Sequence, residues 1–186
     1  MRRQIAGFTM VEVLVAVLLL AVGLVGALAM QAHAMRTRQE SVLQTEALQA
    51  AATLADRIRA NAAQSSAYLG FEFDAAAPRA PAAGGCADAS CDPAALAQYE
   101  LGVFRRQLQS SLPSARALTC RDASGAPGGR LQWACSGEAS APIVIKIGWR
   151  SHADANAGTD AAARAAPEAV PAIALPVALF APGRPP

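Results

Sequence analysis

The sequence predicts an α+β protein: one long N-terminal helix packed on a small antiparallel sheet, with one extra short helix. Three observations carry that expectation. A proline-free helical pattern runs from about Thr9 to Gln64. A second helix is bracketed by Asp92-Pro93 and Leu112-Pro113. Beyond Pro113 the apolar residues alternate in short segments, the period of a strand.

The 186 residues fit one domain of modest size plus a membrane segment. Apolar residues make up 53%, a total inflated by alanine and by the N-terminal run. Two Trp, two Tyr and five Phe leave a small, aliphatic core for the rest. Net charge is +2, and removing Arg2 and Arg3 leaves 14 basic against 14 acidic residues. A neutral remainder without a basic patch argues against nucleic acid as a partner, because phosphate binding needs a positive field.

The first element begins in an apolar run. From Val13 to Met30 every residue is apolar or glycine, and the next formal charge is Arg36. A membrane-spanning helix needs about 20 such residues. Arg2 and Arg3 ahead of it predict a cytoplasmic N-terminus and an outward-facing remainder. Gly23 and Gly26 each cost about 1 kcal/mol of helix propensity. Together with Ala16, Ala21 and Ala27 they permit close helix approach.

Glu12 is the anomaly. A carboxylate at the mouth of an apolar span is costly unless paired. A cleaved secretory signal ending at Ala32-His33-Ala34 has the basic start and the small-x-small site. Its apolar run is longer than the usual 7–15 residues, however, and Glu12 has no purpose in a discarded segment. A plain single-span anchor leaves Glu12 equally unexplained.

The order basic leader, Gly7, Phe8, then Glu12 four residues on, resembles the class III signal of type IV prepilins and of the pseudopilins of type II secretion. The resemblance implies the pilin fold, cleavage between Gly7 and Phe8 by an inner-membrane prepilin peptidase, and N-methylation of Phe8. It also gives Glu12 a partner. Cleavage creates an α-amino group on Phe8 with a pKa near ~8. In the family, the amino group of an adjacent subunit pairs with this carboxylate and sets axial register. The implied organisation is a leader at 1–7, a transmembrane and polymerisation helix at 8–35, and an amphipathic half at 36–64. A periplasmic head at 65–181 and a loose tail at 182–186 complete it.

The amphipathic half carries Leu43, Ala47, Ala50, Ala51, Leu54, Ile58 and Ala62 on one face. Residues 65–91 read as a loop, interrupted by Pro78, Pro81 and Gly84-Gly85. Asp92 as N-cap and Pro93 at the first helical position open the short helix. Pro113 stops it. Ala97, Leu101, Phe104, Leu108 and Leu112 form its stripe, with Arg105 and Arg106 on a solvated face.

Ala115–Asp122 and Arg130–Ser136 read as a hairpin around Ser124–Gly129. Pro142–Arg150 is the clearest strand, with Ile143, Ile145, Ile147 and Trp149 inward and Lys146 and Arg150 on the other face. Ser151 to Pro171 reads as a loop. Ile173, Leu175, Val177 and Leu179 alternate again, and Pro176 limits that segment to a sheet edge.

Cys86, Cys91, Cys120 and Cys135 form an even set in a translocated domain, the pattern of two disulfides. Three pairings are possible. Cys86 with Cys91 closes a small ring, and Cys120 with Cys135 meets across the turn, so that pairing is favoured. A zinc site is disfavoured because Cys120 and Cys135 are not closely spaced.

Within the superfamily, the chain most resembles the PilV class of minor pilins, the type IV pilus modification proteins. The resemblance rests on Cys91-Asp92-Pro93, Leu112-Pro113, Cys120 and Ile145-Lys146-Ile147-Gly148-Trp149. It implies a subunit held in the inner membrane, head in the periplasm, before it enters a cell-surface pilus. There it primes assembly and supports adhesion or twitching motility. The implied partners are prepilin peptidase, other minor and major pilins and the inner-membrane assembly machinery. A minor pseudopilin of type II secretion and a membrane-anchored, non-polymerising binding domain are the alternatives. No catalytic constellation is expected: His33 and His152 have no nucleophile or acid at meaningful spacing. No cofactor and no metal are expected.

Overall fold

A computed structural model of the chain describes residues 9–77, 86, 91–150 and 170–179. The expected leader (1–7), Phe8, much of the loops at 65–91 and 151–171, and the tail (182–186) lie outside the described residues. Helix α1 spans Met10–Ala60 and α2 spans Pro93–Ser111. Strands β1 (Glu72–Asp74), β2 (Arg116–Arg121), β3 (Ile143–Gly148) and β4 (Ile173–Val177) form one antiparallel sheet in the order β1-β2-β3-β4. The chain divides into two compact units, Met1–Ser41 and Val42–Pro186.

In the second unit, α1 buries Ala47, Ala50, Ala51, Leu54, Ala55 and Ile58, with Leu43 partly covered. This is the three- and four-residue stripe of an amphipathic helix. Alanine on that stripe lets other elements approach the backbone closely. Ala62 departs from expectation and is exposed, because α1 ends at Ala60. Asn61 is the reason. Its side-chain amide donates to the Pro93 carbonyl at 2.8 Å and to the Tyr68 hydroxyl at 3.3 Å. Such side-chain bonds compete with helix continuation. A 3₁₀ segment, Ala62–Tyr68, follows.

The expected loop at 65–91 therefore holds that segment and a short strand. Gly70, at φ 73°, turns the chain into β1. Its N–H donates to the Thr119 carbonyl at 3.0 Å, and Thr119 N–H donates back to the Phe71 carbonyl at 3.0 Å. Phe71 and Phe73 are buried in the core. Three residues of strand are too few to show a period, so pairing with β2 rather than local pattern decides them.

Helix α2 matches its expected bounds. Asp92 Oδ1 accepts from Ala94 and Ala95 N–H at 2.9 Å each, and Pro93 occupies the first turn. Ala97, Leu101, Phe104, Leu108 and Leu112 are all buried. Arg106 is exposed, but Arg105 is not a solvated residue: its guanidinium lies 5.7 Å from the Phe71 ring centre.

The expected hairpin is a correction. β2 pairs over six residues with β3, from Arg116 opposite Gly148 to Arg121 opposite Ile143, and Arg130–Ser136 is not a strand. That segment alternates in exposure like a strand, with Leu131, Trp133 and Cys135 half-buried. Two of its carbonyls, Gln132 and Ala134, instead accept from Lys146 Nζ at 2.8 and 2.6 Å. β3 is central and buried throughout. Ile143, Ile145 and Ile147 join the core with α1, α2 and Val177. β4 lies at the edge, with Pro176 opposite Val144, where a missing N–H breaks no ladder on the outer side.

Asp92 caps α2 by both bonds, so Asp92→Ala should lower the stability of the second unit by about 1 kcal/mol. Urea denaturation of the full chain in detergent, followed by tryptophan fluorescence, measures this. An unchanged midpoint would remove the cap from the account.

Candidate functional site

The N-terminal unit carries the residues that the sequence singles out. Thr9 sits just before α1. Its carbonyl accepts from Glu12 and Val13 N–H at 3.1 and 3.3 Å, and its hydroxyl accepts from Glu12 N–H at 3.3 Å. Thr9 is thus the N-cap and Glu12 the third helical residue. Thr9-Met10-Val11-Glu12 is the S/T-x-x-E pattern of a capping box. Sequence reasoning missed Thr9, although that spacing could have found it. The position suits Glu12, since a carboxylate in the first turn opposes the positive end of the helix dipole.

Glu12 is exposed, and so are its apolar neighbours: Val13, Leu14, Val17 and Leu20 are each more than 50% exposed. Glu12 shares a shallow surface depression with Val13, Ala16, Val17 and Leu20. Exposure of large apolar side chains continues through Met35. The helix is long and apolar enough to cross a membrane, and the apolar stretch that meets that test is 0% buried. Around Gly23 and Gly26 an added methyl group would meet nothing within 4 Å. Gly7 and Phe8, the expected cleavage and methylation positions, lie outside the described residues.

The cysteines form two bridges. Cys86 and Cys91 are joined with Cα atoms 5.7 Å apart, and Cys120 and Cys135 with Cα atoms 6.3 Å apart. Among the described residues no group of three or more His, Cys, Asp or Glu could hold a metal ion. His33 is exposed on α1, and its carbonyl accepts from the Thr37 hydroxyl at 3.2 Å. His152 lies outside the described residues.

Sequence reasoning did not find the buried polar groups of the second unit. Lys146, expected on an outer face, has only 3% of its side chain exposed, and its Nζ lies 2.6 Å from Asp122 Oδ2. Asp122 Oδ1 accepts from Ser124 N–H at 2.9 Å, the Ser124 hydroxyl at 2.5 Å and Ser136 N–H at 3.2 Å. Burial pushes the Asp122 carboxyl up. The Lys146 ammonium, the Ser124 hydroxyl and the two N–H groups outweigh it and hold the group below the usual carboxylate range.

A second network ties Tyr68 to Glu100 through its hydroxyl and to Asn61. Burial, then the bond to Glu100, pushes the Tyr68 hydroxyl up to about 12. Both networks hold the fold together.

Residues 2–28 match the family model of the prokaryotic N-terminal methylation motif, and residues 29–102 match that of type IV pilin Tt1218. The two matches adjoin at Leu28 and Ala29. Comparison with curated proteins and with solved structures returns no match. The chain is thus similar to type IV pilins along residues 2–102, with an N-methylation motif ahead of a Tt1218-like stretch, and its α+β architecture is consistent with the pilin fold.

Removing one partner of the buried pair strands the other, so Asp122→Asn should destabilise the second unit by about 3–5 kcal/mol. The sign of the pH dependence follows from the depressed carboxyl. Its contribution is complete above the unfolded value of about 3.9 and is lost as pH falls through the lower folded value. Urea midpoints of the wild-type chain and the variant, compared between pH 7 and pH 2, check both points. The difference should shrink only in strong acid.

Proposed function

We propose that this chain is a type IV prepilin that matures into a minor pilin of the PilV class. The observation that carries the reading is the adjacency of the two family matches, which join a methylation motif to a pilin domain along residues 2–102. The exposed apolar helix and the four-stranded sheet are what a pilin subunit requires. Prepilin peptidase cuts between Gly7 and Phe8, and the new amino group of Phe8 is methylated. The subunit waits in the inner membrane with its head in the periplasm. It then moves into a filament with other pilins, priming assembly and supporting adhesion or motility.

The mechanism is polymerisation. Lipid tails are as apolar as leucine, so transfer of the helix from lipid to a bundle of like helices gains little from the hydrophobic effect. Register must come from a polar contact. Glu12 supplies it by pairing with the Phe8 amino group of a neighbouring subunit. A buried carboxylate left without that partner costs several kcal/mol.

Glu12→Gln should leave membrane insertion intact and lower the amount of protein in sheared surface filaments about tenfold or more, since each 1.4 kcal/mol is a factor of ten. Immunoblots of membrane and filament fractions read both quantities. Wild-type incorporation of the variant would refute the pairing role.

A further inference from the structure

The segment from Arg130 to Gly137 lies over the outer face of β2 and β3 without entering the sheet. It is tied to the sheet by a disulfide, hydrogen bonds and ring contacts, among them Ala123 N–H donating to the Ser136 hydroxyl at 3.0 Å. Cys135 is bonded to Cys120 on β2. The Gln132 and Ala134 carbonyls take two of the three bonds of the Lys146 ammonium. Arg116 stacks 4.6 Å from the Trp133 ring centre. Trp133 packs where Gly148 has no side chain: a methyl group there would come within 3.1 Å of the indole. At the far end, Ser136 N–H donates to Asp122 at 3.2 Å and Gly137 N–H to the Arg121 carbonyl at 3.0 Å.

We infer that this strap is a lid that opens separately from the sheet, latched by the Cys120–Cys135 disulfide, and that its opening bares Lys146. The strap has no part in the core formed by α1, α2 and the inner faces of β2 and β3. Lifting it therefore leaves that core and the β2–β3 ladder intact. Lys146 would lose its two carbonyl partners but keep Asp122, which is fixed at the end of β2 by its own N–H bond to the Pro142 carbonyl at 3.0 Å. Water on the outer face can replace the carbonyls. The disulfide sets the balance because it keeps Cys135 beside Cys120 in every open form. A dithiol that reduces the bond to two thiols, and is itself oxidised to a disulfide, releases the latch. The lid thus makes the outer face of the head sensitive to thiol state. This device does not depend on the assembly role proposed for Glu12.

Hydrogen exchange with mass spectrometry on the full chain in detergent, comparing wild type with the Cys120→Ser/Cys135→Ser variant, tests this. Loss of a cross-link spanning about 15 residues should speed exchange at Ser136 and Gly137 by roughly 100-fold. The amides of β2 and β3 should keep their wild-type protection, and Lys146 should become open to acetylation by an N-hydroxysuccinimide ester. Loss of protection across strap and sheet together, including failure of the variant to fold, overturns the separate lid. Unchanged strap exchange overturns the latch.

Discussion

An exposed apolar helix surface is the constraint from which the remaining features follow. In the N-terminal unit, Val13, Leu14, Val17, Leu18, Leu19 and Leu20 each expose more than half of their surface. Each such side chain gains about 1.5–3 kcal/mol on leaving water. The length and apolarity of this helix suit it to lipid or to other apolar helices. Either environment satisfies the leucines and valines about equally. In the proposed assembly, the discriminating group is the Glu12 carboxylate, which neither environment satisfies on its own. Its place in the first turn, behind a Thr9 cap, orients it at the very start of the helix.

The second unit solves a different problem, a small core from few large residues. Alanines on α1 permit close packing, and the volume is filled by Leu54, Ile58, Tyr68, Phe71, Phe73, Phe104 and the inward isoleucines of β3. What that core cannot stabilise, covalent and ionic links do. The Lys146 bonds to the Gln132 and Ala134 carbonyls and the Cys120–Cys135 bridge both bind the strap to the outer face of the sheet, and Asp122 pairs with the same ammonium. The Asn61–Pro93 bond joins the end of α1 to the start of α2.

Much of this was legible in the sequence where a local rule has a local cause. Asp92-Pro93 and Leu112-Pro113 set the ends of α2 because capping and proline sterics act within a few residues. The isoleucines of β3 and the edge position of Pro176 follow from strand period and a missing N–H. The failures have a common origin in distant partners. β1 exists through its ladder to β2. Arg130–Ser136 has the alternation of a strand, but its carbonyls go to Lys146. Lys146 reads as an outward-facing cation because its cover comes from a segment some 14 residues away. Asn61 ends α1 by reaching Pro93, 32 residues on. At the candidate site, the spacing of Gly7, Phe8 and Glu12 carried the resemblance, and residues 2–28 match the N-terminal methylation motif. Thr9 acts through a local rule as well, its hydroxyl accepting from the N–H three residues on.

The central claim is that the apolar helix is retained, processed at its start and transferred from membrane to filament. Mass spectrometry of the N-terminal peptide from sheared surface filaments tests it most directly. The account predicts a peptide that begins at N-methylated Phe8 and runs into the apolar helix. A chain that begins at Met35, or one that keeps Met1 and occurs only in the membrane fraction, would contradict it.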